Sequence, residues 1–398
     1  VIDLGVQVPL DKFIETARKE QADAIGMSAL LVQTSNHMIT VARMLAEYSF
    51  QIPVLIGGAP VNSRHAGYVA MCGQDDTDRI VDNVFYCKSG MDGVNTMNTL
   101  QDKAKKAELL EKNRALLLRE YQRAKGLQAT QNKLLSTLPR RVVGFKNHEV
   151  PRSEYGVHKV EFKLHKMAPN LDRKSLFSLN WKFGKQSSWK QKGVTLEDLK
   201  KLEKEWIEKA EANGWIVPRA RFTLLPAQSE GDELVIYDPE NLAKELGRLT
   251  FTVCVGKGGK DIFSAAQYFY PKSSGQMDLV GLQITTTGSN VGKAIRAFKE
   301  QNDSESSLYL QGLSDRVTED LAEYIHNLLR HRIGQTWEKY GMRYSPGYPG
   351  ITDLSNNRII GNILKAEDIG IVLTEADEFD PPSTTAAVVC LHREASYS

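Results

Sequence analysis

Apolar residues in the first hundred positions follow two alternating rhythms. Short apolar runs end at glycine, and between them apolar residues recur every three or four positions. Val1-Ile2-Asp3-Leu4-Gly5 predicts a short strand. Pro9 then introduces an amphipathic helix over roughly 10–20, with Phe13, Ile14 and Ala17 on one face. Ala24-Ile25-Gly26-Met27-Ser28 predicts the second strand, and Met38, Val41, Ala42 and Leu45 mark the helix after it. Ile52-Pro53-Val54-Leu55-Ile56 reads as a third strand, stopped by Gly57-Gly58, and Val84-Phe85-Tyr86 as a fourth. Strands alternating with helices imply a parallel, doubly wound α/β sheet.

From about 99 to 125 the pattern becomes a charged helix. Lys103, Lys105, Lys106, Glu108, Glu111, Lys112 and Arg114 form a solvated face, over a stripe that includes Leu109, Leu110 and Leu117. Residues 126–165 are polar, carry Pro139, Gly144 and Pro151, and read as a linker. The rest, 166–398, has the mixed pattern of a separate α+β domain. A helix is predicted from Leu196 to Ala212, with Leu199, Leu202, Trp206 and Ile207 on one side. Phe222–Pro226 and Leu234–Tyr237 predict strands joined by the polar turn Gln228-Ser229-Glu230-Gly231-Asp232. Leu279–Ile284 predicts another strand, and Leu313–Leu329 a long helix.

Composition changes this picture little. At 398 residues the chain has room for two domains, and 41% hydrophobic with 25% charged residues is ordinary for a globular protein. A net charge of +2 gives no electrostatic basis for binding nucleic acid or an anionic membrane. Four scattered cysteines without a C-x-x-C lead us to expect reduced thiols and a cytoplasmic location. No two of the eight histidines are spaced H-x-x-x-H, so no metal site made by protein ligands alone is expected.

Candidate chemistry lies in two places. In a parallel α/β sheet, ligands bind beyond the carboxyl ends of the strands. Here those ends are Ser28-Ala29-Leu30-Leu31-Val32, Gly57-Gly58-Ala59 and Tyr86-Cys87-Lys88-Ser89-Gly90. They describe an apolar, small-residue crevice suited to a large flat ligand, although each end taken alone also fits ordinary turn chemistry. Nucleotide readings are weak, since there is neither G-x-G-x-x-G nor G-x-x-x-x-G-K-[S/T]. The other place is Arg343-Tyr344-Ser345-Pro346-Gly347-Tyr348-Pro349-Gly350. Two prolines and two glycines fix a non-helical path that carries a cation and aromatic faces, suited to a polar ligand with a carboxylate. A surface turn with incidental side chains has the same composition.

These residues also carry a resemblance. V-I-D-L-G-V, I-G-M-S-A-L-L-V, V-L-I-G-G-A and V-F-Y-C-K-S-G-M-D-G, between Val1 and Gly93, are similar to the cobalamin-binding domain of the cobalamin-dependent methionine synthase family. L-D-R-K-S-L-F-S-L-N-W (171–181), P-A-Q-S-E-G-D-E-L (226–234), L-S-D-R-V-T-E-D-L-A-E-Y-I-H (313–326) and R-Y-S-P-G-Y-P-G (343–350) resemble that family's reactivation domain. The resemblance implies a flavodoxin-like cobalamin domain over 1–125, the linker at 126–165, and an S-adenosylmethionine-binding domain over 166–398. It implies cobalamin (as methylcobalamin) at Ser28, Val32, Gly57, Gly58 and Gly90. It places S-adenosylmethionine at Asp172, Arg343, Tyr348, Tyr397 and Ser398. It further implies methyltransferase activity, upstream homocysteine and folate modules in the same polypeptide, a flavodoxin-type electron donor, and a monomer.

Two departures from the family stand out. Gly350-Ile351-Thr352 replaces A-C-P, and the D-x-H-x-x-G whose histidine ligates cobalt is absent. If Val1–Leu4 is the second strand of a 2-1-3-4-5 sheet, the first strand and the cobalt ligand are expected upstream of Val1. His37 and His65 read as surface histidines rather than substitutes. A stand-alone corrinoid-binding or reactivation protein serving another methyltransferase is the alternative.

Overall fold

The computed structural model describes residues 1–5, 8–29, 32–74, 80–144, 155–189, 193–337 and 340–396. They form two compact units, 1–139 and 140–398. The first runs α1 (Leu10–Lys19), β1 (Ile25–Ala29), α2 (Val32–Ser35), α3 (His37–Glu47), β2 (Val54–Gly58), α4 (Ser63–Ala70), β3 (Val84–Tyr86), α5 (Gly90–Gln101) and α6 (Lys103–Thr137). Its strands are parallel and lie in chain order β1-β2-β3, with Ile25 opposite Val54 and Val54 opposite Val84. That consecutive order is shared by the last three strands of a flavodoxin-like sheet. Ile25, Met27, Val54, Ile56 and Val84 enter one core with Val41, Leu45, Val69, Leu117 and Tyr121 from the helices. Gly26 and Ser28, on the alternate face of β1, are exposed.

Two expectations for this unit need correction. Residues 1–5 form no strand; Val1 and Ile2 are exposed, and the Gly5 N–H is taken by the Asp3 carboxylate at 2.8 Å. A local side-chain acceptor of this kind competes with a ladder, and no described residue offers the segment a neighbouring strand. Residues 126–137 are helical, not linker, because α6 continues unbroken through them, and the compact units divide after Pro139. Gly126 disfavours helix, but Leu127, Gln128, Ala129, Gln131, Lys133, Leu134 and Leu135 are good formers, and the first proline is Pro139.

Close helix packing also depends on one glycine. A Cβ on Gly67 in α4 would lie 2.8 Å from the Tyr121 N and 3.0 Å from the Leu117 O of α6. Gly67→Ala is therefore expected to cost about 1–3 kcal/mol by overpacking. Thermal unfolding checks this, with an unchanged midpoint as the contrary result.

The second unit contains β4 (His158–Glu161), α7 (Leu164–Met167), α8 (Arg173–Ser175), α9 (Leu196–Ala212), β5 (Arg219–Glu230), β6 (Glu233–Asp238), β7 (Asn241–Thr250), β8 (Cys254–Val255), β9 (Ile262–Phe263) and β10 (Asp278–Thr286). It continues with α10 (Asn290–Glu300), α11 (Ser304–Arg332), β11 (Met342–Tyr344), α12 (Asn356–Leu364), β12 (Val372–Leu373), β13 (Phe379–Asp380) and β14 (Thr384–Cys390). An antiparallel sheet ordered β11-β14-β10-β5-β6-β7, with β4 also on β5, forms its centre. β4 lies within the stretch expected to be linker. Val280, Leu282 and Ile284 of β10 enter the core that includes Ile360 and Leu364 of α12. The other face of β10 meets α11 through a polar seam. Gln283 Nε2 donates to Ala322 O at 3.0 Å, Thr285 Oγ1 to Thr318 O at 3.2 Å, and Thr287 Oγ1 lies 2.7 Å from Ser314 Oγ. Strand period two thereby meets helix period four, which fixes the helix's rotation. Beside that seam α11 carries charged residues, of which Glu319 and Glu323 face Arg343 of the edge strand β11.

Candidate functional site

In the first unit, register brings the expected strand ends to one edge. Ser28 lies opposite Gly57 and Ala29 opposite Gly58. Beyond β3, Ser89 caps α5: its Oγ accepts the Asp92 N–H at 3.2 Å, and the Asp92 carboxylate accepts the Ser89 N–H at 3.0 Å. Gly90 is the first residue of that helix. The glycines differ in what demands them. A Cβ on Gly57 would lie 2.8 Å from Cys87 O, and one on Gly58 would lie 2.0 Å from Ala29 O, with φ already +118°. The fold alone requires glycine at both, so neither residue is evidence of a ligand approaching the backbone. A Cβ on Gly90 would meet nothing within 4 Å. Exposed Ser28 and open Gly90 thus present a small-residue rim that could hold a broad flat ligand such as a corrinoid. Val32 begins α2 just past β1. Among the described residues, no cluster of three His, Cys, Asp or Glu side chains could hold a metal ion.

In the second unit the candidate residues meet on α11. Asp172 is exposed and caps the short α8: its carboxylate accepts from Ser175 Oγ at 2.6 Å and Ser175 N at 3.2 Å. The Ser175 hydroxyl, opposed by partial burial, holds the Asp172 pKa below the usual carboxylate value, so the group stays ionised. The Asp172 N–H donates to Asp320 Oδ2 of α11 at 2.8 Å, and Arg316 pairs with the same Asp320 at 2.8 Å. Further along α11, Glu323 Oε2 is 3.5 Å and Glu319 Oε2 4.0 Å from Arg343 Nη2. Tyr348 is 43% exposed, and its hydroxyl is pushed up in pKa by burial and by the charge of Glu319. Spacings of three and four residues stack Arg316, Glu319, Asp320 and Glu323 on one helix face. One anion, Asp172, and one cation, Arg343, are therefore brought to a single helix from segments 171 residues apart in sequence. Such a pair could receive an ammonium and a carboxylate or other oxygens of one ligand.

The proline-glycine loop follows the expected non-helical path but is bonded to itself. Gly347 N donates to Ile351 O, Tyr348 N to Ser345 O, and Ile351 N to Tyr348 O, so these N–H groups are occupied within the loop. Tyr344 is a core residue, edge-on to Phe251, with its hydroxyl on Ser396 O at 2.8 Å. Only Tyr348 of the two loop tyrosines presents an aromatic face outward. The departure at Gly350-Ile351-Thr352 is absorbed by the fold: Ile351 is fully buried, and Thr352 N and Oγ1 both bond Thr252 Oγ1, at 3.0 and 2.9 Å. Tyr397 and Ser398 lie outside the described residues.

Sequence reasoning did not single out Arg316, Glu319, Asp320 or Glu323. Their signal was present in 313–326 as acids and a base at i, i+3 and i+4. It overlaps the pattern of any solvated helix face. His37 and His65, expected to be surface histidines, are both half-buried. His65 Nε2 lies 3.0 Å from Ser35 O, and burial lowers its pKa. In the second unit, His326 is buried under Gly341, and its Nε2 has no hydrogen-bond partner among the described residues.

Burial, helped by the charges of Arg330 and Arg343, holds His326 below its ordinary value of 6.5 against the pull of Glu323. The fold thus favours the neutral ring, and the unfolded chain takes up the proton first. The stabilising contribution is complete above 6.5 and is lost as pH falls through the depressed folded value. Denaturant midpoints measured from about pH 8 down to about pH 5 should fall less steeply in His326→Gln than in the parent. Parallel curves would contradict this.

Comparison with known proteins adds the following. The family model "Vitamin B12 dependent methionine synthase, activation domain" matches residues 163–398, and "B12 binding domain" matches 1–78. Methionine synthase of Mycobacterium tuberculosis is 25% identical over 450 aligned residues, and that of Mycobacterium leprae 23% over 453. Each alignment takes in 100% of this chain but only 36% of the relative. A crystal structure of the MetH reactivation domain bound to AdoHcy superposes with a TM-score of 0.57 at 22% identity, covering 66% of this chain and 89% of that one.

Proposed function

The chain belongs to the vitamin B12-dependent methionine synthase activation family, and from that premise we propose that it carries cobalamin on its first unit and restores that cofactor with S-adenosylmethionine bound on its second. The carrying observation is the pairing in one polypeptide of a B12-binding match at 1–78 with an activation-domain match at 163–398. The chain is homologous to the C-terminal cobalamin-binding and reactivation region of methionine synthase. Because it spans about a third of the length of those relatives, the following are part of the proposal: methyl transfer from methyltetrahydrofolate to homocysteine, the upstream modules for those substrates, and an electron donor of flavodoxin type.

Within this reading each group has a role. Cobalamin supplies the methyl-accepting cobalt chemistry when bound, and the protein supplies position. Ser28, the Val32 turn, and the rim of Gly57, Gly58 and Gly90 are the proposed cobalamin contacts. Asp172 receives the ammonium of S-adenosylmethionine, Arg343 its oxygens, and Tyr348 its sulfonium or adenine face. Bound there, S-adenosylmethionine would supply a methyl group to the cobalt after the external donor has reduced it by one electron, and would leave as the thioether S-adenosylhomocysteine. Burial of Ile351 and the Thr252–Thr352 bonds hold this loop in place despite its changed sequence, which supports an S-adenosylmethionine site beside it.

Two measurements on the purified chain test the proposal. Cobalamin absorbance is expected to co-elute with the protein in gel filtration, and calorimetry to detect one S-adenosylmethionine site. Loss of both signals would overturn the reading. Cobalamin retention without S-adenosylmethionine binding would leave a corrinoid carrier.

A further inference from the structure

Glu323 lies on the α11 face at the point where Arg343 reaches the helix, and three nitrogen groups converge on its carboxylate. Oε2 is 3.5 Å from Arg343 Nη2, while Oε1 is 3.7 Å from Arg330 Nη2 and 3.8 Å from His326 Nδ1. Arg330 and His326 are buried, whereas Glu323 is about half exposed. The carboxylate therefore has an inner oxygen fixed by the core and an outer oxygen turned to Arg343. These separations exceed hydrogen-bond length, so Arg330 and Arg343 attract the carboxylate as charges, while the neutral His326 ring acts as a neighbouring dipole. Burial pushes Glu323 up, but the nearby His326 ring and the Arg343 and Arg330 charges outweigh it and hold the acid below its ordinary value. Glu323 is thus an anion where Arg343 needs one. Glu319, at 4.0 Å from the same Nη2, bounds the guanidinium on the preceding turn. Arg343 enters from β11, which is paired to β14 through Val389, so its backbone is fixed and only the side chain remains to be aimed.

We propose that Glu323 is a positioning residue that holds the Arg343 guanidinium ready to receive S-adenosylmethionine. The inference rests on the reading of Arg343 as part of that site. It differs from a purely structural role, in which Glu323 would only neutralise buried Arg330. A positioning role makes its effect on binding pass through Arg343; a structural role does not.

The test is S-adenosylmethionine calorimetry on the full chain with Glu323→Gln, Glu323→Asp, Arg343→Ala and the Glu323→Gln/Arg343→Ala pair. Glu323→Gln should weaken binding by about tenfold. Glu323→Asp, which keeps the charge, should stay within about threefold of the parent. In the Arg343→Ala background Glu323→Gln should add nothing, the mark of a shared pathway. Should Glu323→Gln not fold, Glu323→Gln/Arg330→Met removes the buried Arg330 charge as well and carries the same expectation. Parent-like binding in the Gln variant, or losses that add in full, would overturn the proposal. Nuclear magnetic resonance of the Arg343 Nε–H, assigned by its loss in Arg343→Ala, separates the two readings. If the parent does not bind S-adenosylmethionine, the site assignment fails. Positioning then stands only if Glu323→Gln broadens or shifts that resonance, and falls if the resonance is unchanged.

Discussion

Gly58→Ala is expected to open the first unit, while Gly90→Trp removes cobalamin and leaves the fold intact. The two glycines sit at the same sheet edge but in opposite circumstances. Gly58 has φ +118°, outside the range that side-chain-bearing residues favour, and its Cβ would lie 2.0 Å from the backbone oxygen of Ala29. Neither backbone can yield without breaking the parallel register in which Ala29 faces Gly58. A strained dihedral and a backbone clash together should cost about 3 kcal/mol or more. Hydrogen exchange at β1 and β2 would then rise toward that of exposed amides. Gly90 has open space at its Cβ position and begins α5 after a formed capping box. A tryptophan there projects into the rim proposed for the corrinoid. Its melting temperature should match the parent's, while co-eluting cobalamin absorbance disappears. A Gly58→Ala variant with unchanged exchange, or a Gly90→Trp variant that still retains cobalamin, would refute the respective half.

How legible all this was depended on the range of the interactions that set each element. The α9 helix was readable to its ends, because Thr195 and Asp198 form a capping box and Leu199, Trp206 and Ile207 make one buried stripe. Local pattern failed where distant partners decide. Gln228 and Ser229 read as turn residues, yet they continue β5, because Gln276 O and Phe269 O accept their side-chain donors within the fold. β7, with polar residues at most of its exposed positions, and β14, a run of threonine, alanine and valine, gave no strand expectation at all. Val1–Leu4 had the composition of a strand but no ladder. At the candidate site, Asp172 came from family resemblance, and Arg343 from the loop's composition together with that resemblance. The carboxylates that connect them on α11 required a knowledge of which face β10 covers. The seam of Gln283, Thr285 and Thr287 supplies it, and no window of sequence contains both halves of that seam.

Asp172→Ala and Arg343→Ala are each expected to weaken S-adenosylmethionine binding by about tenfold to a hundredfold. Each removes one charge-assisted bond, typically worth about 1.5–3 kcal/mol. The aspartate needs a control, because its carboxylate also accepts from Ser175 N and Oγ. Asp172→Asn keeps an acceptor for the Ser175 N–H but offers no charge to an ammonium. If the ligand's ammonium is what Asp172 receives, the Asn variant should lose nearly as much affinity as Ala while melting closer to the parent. The depressed pKa of Asp172 adds a pH signature: its carboxylate stays ionised below the ordinary value of 3.8, so binding through it should persist as pH falls through that value and fail only lower. Arg343 offers the complementary control. Arg343→Lys preserves charge near Glu319 and Glu323 but not the planar fork, so it should recover only part of the affinity. Cobalamin retention by the first unit should be unchanged in all four variants. Calorimetric affinities equal to the parent's in both alanine variants would remove S-adenosylmethionine from the α11 face. Equal losses in Asn and Ala, with Lys intermediate, would identify ammonium and oxygen recognition as the work of these two side chains.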